Sequence, residues 1–246
     1  MKWSRQEVMQ LLVAGIVLGA IAGFDDGRSV FVLKAWSLHF VQTIILTILL
    51  FFFYVSAQKV VARRCGGHAN FVVGLWRRFW LKPQHRFPVG IPLGFIVAII
   101  VGLFSVGKFW FAGFGHTNVD ASPRSRFGRR TTFGLDLYQK AQILVAGPLA
   151  VLLISMILKV IAPTVLSDTI SKVGIIIAVC NMLPIPGLDG WYAAFSSLGV
   201  YLLAVALVII AGVLMVYLNS IIAMIIGSVV ALFVGWLYLY KFVYAK

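Results

Sequence analysis

Acidic residues are scarce in this sequence. Its 246 residues include seven acidic side chains against 21 lysines and arginines, and Glu7, close to the N-terminus, is the only glutamate. Cysteine is also rare: Cys65 and Cys180 lie far apart, which argues against a disulfide framework and against a thiolate metal site. Because only 11% of the residues are charged, the chain has too little polar surface for a soluble domain.

Apolar residues fill the chain instead. They make up 61% of it, and the mean hydropathy is +1.01. This composition predicts an all-α polytopic membrane protein, with room for six or seven transmembrane segments of ~20 residues each. We therefore expect an integral, multi-pass protein of the cell membrane, built as a single membrane domain over residues 1–246.

The excess of basic residues bears on partners. The formal net charge is +14, and most basic residues lie between the apolar runs. This distribution is typical of connections that set membrane topology and contact anionic lipid headgroups. We therefore expect membrane lipids as partners and no nucleic acid.

The apolar runs predict the order of the elements. They lie at residues 9–24, 36–61, 137 onward, 172–180, 191–218 and 221–240, and the last two are expected to form a tight hairpin. A loop is expected at 161–171. Within the connector 66–87, the aromatic and basic stretch 75–82 is expected to lie at the headgroups.

A glycine-rich apolar segment at residues 88–115 allows two interpretations. It either spans the membrane once or re-enters and returns to the same side. Both flanking connections are strongly basic, so a single crossing would place two basic loops on opposite sides of the membrane. The charges therefore favour a re-entrant hairpin.

The stretch from Asn181 to Gly190 has the strongest chemical character. It places a carboxylate, Asp189, together with two prolines and two glycines inside an apolar run. Irregular backbone at membrane depth is tolerated where it is buried in protein or lines a wet cavity, and an ionisable side chain there indicates a functional site. The alternative is a simple helix break, in which Asp189 caps the next helix.

The spacing Asn-x-x-Pro-x-x-x-x-Asp-Gly in this stretch resembles the second signature motif of the site-2 protease family of intramembrane zinc metalloproteases. The resemblance, to archaeal-type members, implies that Asp189 is a zinc ligand position and that Asn181 and Pro184 belong to the substrate site. Gly147 and Pro148 match a further core element of the family. A site-2-protease-like core is therefore expected at about residues 5–192, followed by a C-terminal helical hairpin at 193–246.

The first signature motif of the family, H-E-x-x-H, is lost. Its frame is recognisable from the flanking residues Ala57, Lys59, Val61, Ala62, Arg64 and Gly66. In place of the two histidines and the glutamate, however, the chain carries Tyr54, Gln58 and Val55. We therefore expect no catalytic residue and no bound metal. Desolvation should favour the neutral form of Asp189 unless Lys59 pairs with it.

The leading interpretation is a pseudoprotease that binds or scaffolds a transmembrane helix or a membrane partner complex. One alternative is an active intramembrane metalloprotease with unusual zinc ligands, drawn from His68, His85, Cys180 and Asp189. Another is a structural subunit of a larger membrane complex. A transporter is disfavoured because the chain has no internal repeats.

Overall fold

The computed structural model describes residues 3–25, 27, 31–78, 86–121, 135–161 and 165–217. These residues are mostly helical, and four short strands lie among the helices. The helices are Arg5–Ala22 (α1), Leu33–Arg64 (α2), Leu93–Phe104 (α3), Leu137–Ile161 (α4), Val165–Met182 (α5), Asp189–Ser196 (α6) and Leu198–Tyr217 (α7). The strands are Gly67–Val73 (β1), Trp76–Arg78 (β2), Arg86–Ile91 (β3) and Gly115–Ala121 (β4).

Five helices of the described chain, α1, α2, α4, α5 and α7, are long and apolar enough to cross a membrane. This finding supports the predicted helical membrane protein, although the count is lower than the six or seven segments expected. The predicted last span, residues 221–240, lies outside the described residues, so only the first arm of the expected C-terminal hairpin, α7, is described.

Glycines let α1 and α2 pack closely. Gly15 and Gly19 lie one turn apart on α1, and a Cβ atom built on Gly19 would lie 2.6 Å from the Ile44 Cα of α2. At Gly15 the corresponding distance, to the Ile48 Cα, is 2.8 Å. Small residues at this spacing allow two helix backbones to approach closely in a membrane. Van der Waals contacts between the helices then favour their association, because the hydrophobic effect does not act between helices in lipid.

Gly19→Ala is therefore expected to destabilise the protein by about 1–3 kcal/mol, because the added methyl group meets the α2 backbone and not a movable side chain. Gly199→Ala is the matched control, since a Cβ atom there meets no atom within 4 Å. Thermal unfolding in detergent measures both changes. Equal melting temperatures for the two variants would contradict the packing described here.

The strands form two small antiparallel pairs in the connection between α2 and α4. β1 pairs with β4, with Phe71 opposite Thr117, and β2 pairs with β3. Ala69, Phe71 and Val73 face the core, whereas the alternate residues of β1 are more exposed. Residues 67–73 of the connector 66–87 therefore form a half-buried strand, which was not predicted from the sequence. The expected headgroup stretch, 75–82, lies partly outside the described residues.

The outer edge of β1 is covered by α1. The Phe71 N–H donates to Glu7 Oε1 at 2.9 Å, and the Val73 N–H donates to Gln10 Oε1 at 3.3 Å. Two N–H groups that would otherwise point away from the strand pair are thereby satisfied.

The segment at 88–115 contains one short helix. α3 has 12 residues, which corresponds to about 18 Å at 1.5 Å per residue, less than the ~30 Å of a bilayer core. The Gly74 N–H donates to the Phe114 carbonyl at 2.9 Å, so the chain leaves β1 and returns into β4 at the same place.

Two element boundaries differ from the sequence-based expectation. α5 begins at Val165 and absorbs most of the loop expected at 161–171, with Asp168 in its first turn, where an acidic side chain complements the helix dipole. The helix expected from residue 191 to 218 is broken at Ser197, whose φ of −157° and ψ of 105° are extended.

Candidate functional site

Three side chains predicted to mark the degenerate zinc site lie together in the core. Tyr54 and Gln58 are four residues apart on α2, so they share one face of that helix. Asp189 is the first residue of α6. All three are buried, with relative exposures of 1%, 0% and 0%.

The Asp189 carboxylate is the centre of this cluster. Tyr54 Oη donates to Asp189 Oδ2 at 2.5 Å, and Gln58 Nε2 donates to the same oxygen at 2.7 Å. The Thr117 backbone N–H donates to Oδ1 at 2.6 Å. The two oxygens of this carboxyl group therefore take part in three hydrogen bonds, one of them to a backbone N–H.

The remaining polar atoms of the cluster also have partners. Gln58 Nε2 donates a second hydrogen bond to the Leu144 carbonyl of α4 at 3.2 Å, and Thr117 Oγ1 donates to Gln58 Oε1 at 2.6 Å. The network thus connects α2, α4, α6 and β4. A buried network in which every member is satisfied is rigid and specifies a single packing.

The helix α4 makes room for the cluster with Gly147. A Cβ atom there would lie 2.9 Å from the Tyr54 ring and 3.0 Å from Gln58 Cδ. A larger residue would displace both side chains. The Gly147-Pro148 element of the family resemblance therefore lies against the degenerate motif.

Lys59 does not pair with Asp189. Its Nζ lies 2.7 Å from Glu7 Oε2 and 4.3 Å from the centre of the Trp3 ring. Glu7 is only 3% exposed, so α1 places the sole glutamate of the chain inside the protein. The suggested pairing is wrong because Lys59 follows Gln58 on α2 and therefore points to α1, away from α6.

Asp189 does not cap α6. The N-cap residue of that helix is Leu188, which forms no side-chain cap. The tight turn before the helix depends on Gly190, since a Cβ atom there would collide with the Met182 carbonyl oxygen. The helix break of the alternative interpretation is present, since α5 ends at Met182 and α6 begins at Asp189, but the capping role that it gave to Asp189 is wrong.

Asn181 and Pro184 occupy different environments. Asn181 is buried, and its Nδ2 donates to the Ile177 carbonyl at 2.8 Å and to the Ala112 carbonyl at 3.2 Å. It thereby ties α5 to the segment that precedes β4. Pro184 is exposed in the turn between α5 and α6. Their role in substrate binding stays a prediction.

The residues of the cluster do not fit a zinc ion. Asp189 is an ordinary zinc ligand, but a phenol and a carboxamide are not, and three or four protein ligands are usual. Gln58 also directs an N–H group at Asp189, which is the opposite of ligation. Val55, at the position of the general base, is fully buried and has no group that accepts a proton.

The other suggested ligands are dispersed. His68 lies on the exposed face of β1, opposite Asp120 on β4, and Cys180 is buried in α5. His85 lies outside the described residues. Within the ranges that the structure describes, no three His, Cys, Asp or Glu residues come close enough to hold a metal ion.

The chain matches no family model, no curated protein and no solved structure. The resemblance to site-2 proteases therefore stays a prediction from the sequence motifs.

An apolar groove of about 510 Å³ lies next to the cluster. It runs between α3, the strand ends and the turn that precedes α6, and its lining includes Leu93, Val97, Phe111, Ile185, His116 and Tyr192. The rings of His116 and Tyr192 are tilted by 33° with centres 4.7 Å apart, and His116 Nε2 lies 3.1 Å from Asn118 Oδ1. The volume of the groove and its mainly apolar lining are typical of a ligand-binding site.

Proposed function

We propose that this protein is a pseudoprotease of the site-2 protease type, which binds a transmembrane helix or a membrane partner complex and does not cleave it. The observation that carries the proposal is the convergence of Tyr54, Gln58 and Asp189. These residues occupy the three positions that hold zinc in the family that the chain resembles. Motif matches that arose by chance would not be expected to place their residues in contact.

The side chains of the cluster also support the loss of proteolytic activity. Peptide hydrolysis by a zinc protease needs a metal-bound water and a base that removes its proton. The site has a valine in place of the base, and the hydrogen bonds of Asp189 are already made by Tyr54, Gln58 and Thr117. The cluster therefore suits a structural crosslink between helices.

The groove supports the binding role. It opens beside the cluster and is lined mainly by apolar side chains, as an apolar membrane segment requires. The segment at 88–115 forms one wall through α3. Ile91 pairs with Trp76, and the Phe114 carbonyl accepts the Gly74 N–H, so both ends of this segment lie beside residues 74–76. We therefore infer that it is a re-entrant hairpin.

The exposed arginines support one orientation of the protein in the membrane. The contact of Glu7 with Lys59 and that of Gln58 with Leu144 place the start of α1, the end of α2 and the start of α4 at one end of the protein. Arg5, Arg63 and Arg64 are exposed at this end. Following the positive-inside tendency, we propose that it faces the cytoplasm.

Metal content and proteolysis test the proposal. The detergent-purified protein, washed briefly with a chelator, should contain near zero zinc per chain by elemental mass spectrometry, and it should not cleave transmembrane peptides after zinc is added. A zinc ratio near one, together with cleavage that a chelator abolishes, would favour the active metalloprotease with unusual ligands.

Partner binding needs a separate test. A photoreactive amino acid at Val97, in the groove, should crosslink in native membranes to a defined protein with an apolar span. The same amino acid at Ile209, an exposed position on α7, is the control. Leu93→Trp, which fills the groove, should reduce the crosslink from Val97. Equal crosslinking from both positions would favour a structural subunit without a groove function.

A further inference from the structure

A second groove lies at the other end of the protein. It has a volume of about 310 Å³ and is lined only by apolar side chains and glycines of α1, α2, α3 and the turn after α3. The residues that matter here are Ala20, Ile21, Phe24, Phe40, Leu103 and Gly107. Because the lining side chains offer no polar group, only an apolar group fits inside.

A glycine lets α3 pack closely on α1 beside the groove. A Cβ atom on Gly102 of α3 would lie 2.7 Å from the Ile21 side chain. The turn that closes the groove contains Val106, whose φ of 52° is a left-handed value that β-branched residues rarely adopt. Such strain persists where the surrounding structure imposes it, and it clusters at ligand clamps.

The rim of the groove has the features of a membrane interface. Trp36 donates its indole N–H to the Phe24 carbonyl at 2.9 Å and stacks on Phe40, with ring centres 5.1 Å apart. Tryptophan anchored in this way is typical of the headgroup level. Asp25, which follows Phe24, accepts the Gly27 N–H at 2.9 Å.

Two lysines lie close in the chain to residues of this groove and its rim. Lys34 precedes Trp36 by two residues on α2, and Lys108 follows Gly107 in the chain. Both are exposed, and neither forms an ion pair with another residue of the described chain. Lysine side chains at helix ends extend to the headgroups while their stems cover apolar surface.

We propose that this groove holds one acyl chain of an anionic phospholipid, whose headgroup phosphate is bound by Lys34 and Lys108. The apolar lining selects the chain, and the two ammonium groups select the negative headgroup. Free phosphate lacks the apolar part and does not occupy the groove. This site does not depend on the protease resemblance.

Native mass spectrometry of the delipidated protein tests the site. After titration in detergent with phosphatidylglycerol or phosphatidylcholine, the protein should retain one phosphatidylglycerol at least several-fold more strongly. Lys34→Glu/Lys108→Glu should remove this preference, whereas Lys140→Glu/Lys172→Glu, away from the rim, should keep it. Competition by inorganic phosphate alone, or an unchanged preference in the rim variant, would overturn the headgroup assignment.

The acyl chain has its own test. Ala20→Phe, which fills the groove, should abolish retention of both lipids, and unaltered retention in a folded variant would overturn the proposal. If that variant fails to fold, a photoreactive amino acid at Leu103 replaces it. Crosslinking to the lipid acyl chain is the expected result, and the absence of a lipid adduct contradicts it.

Discussion

Replacing Asp189 with alanine should destabilise this protein more than any other single substitution in the cluster. The change removes the acceptor of three buried donors, on Tyr54, Gln58 and Thr117. Each donor left unsatisfied costs about 1–3 kcal/mol, so a total of roughly 3 kcal/mol or more is expected. Chemical unfolding in mixed micelles, supported by thermal unfolding, measures the loss.

Asp120→Ala is the matched control for that substitution, because Asp120 is exposed on β4. A double-mutant cycle localises the effect. Tyr54→Phe should lower the free energy of unfolding in the wild-type protein, and it should lower it less in the Asp189→Ala protein. The difference, the coupling energy, should be about 0.5–3 kcal/mol. Wild-type stability for Asp189→Ala would show that the cluster does not hold the helices together.

The second large effect concerns metal binding. Tyr54→His/Gln58→His should raise the zinc content from near zero to about one ion per chain. The two side chains already contact the same oxygen of Asp189, so two imidazoles at these positions converge with a carboxylate, a ligand set that zinc accepts. Elemental mass spectrometry after dialysis gives the ratio.

Two controls separate a restored site from adventitious binding. Tyr54→His/Ser56→His also adds two imidazoles, but residues two apart do not share a helix face, so its zinc content should stay near zero. Adding Asp189→Ala to the first pair should return its zinc content to zero. A folded Tyr54→His/Gln58→His protein without zinc would remove the geometric argument for the protease likeness.

The long helices and the cluster residues were predictable for a physical reason. Apolar runs of membrane length leave a helix as the structure that satisfies the backbone within lipid. The positions of Tyr54, Gln58 and Asp189 followed from two motif frames at fixed spacing. Their proximity is what the resemblance requires, and the helix repeat places the first two on one face.

Other contacts of the site could not be predicted from the local sequence. Thr117 donates a backbone N–H to Asp189, and Leu144 accepts with a backbone carbonyl. Nearly every residue type supplies these groups, so only the Thr117 hydroxyl, which donates to Gln58, is specific to its residue type. The contact between Glu7 and Lys59 joins residues 52 apart in the chain, and only the packing of α1 on α2 brings them together. β1 was missed because glycines and aromatic residues in its surroundings also suit a headgroup segment.

The cover that α1 provides for β1 has a consequence for biosynthesis. Strand edges with unpaired N–H groups are templates for aggregation. Glu7 and Gln10 leave the ribosome before Phe71 and Val73 do, so the cover exists before the edge is made. A chain that lacks its first helix, or carries a bulky fusion ahead of Trp3, would offer that edge to neighbouring nascent chains, and its yield should fall through self-association at the membrane.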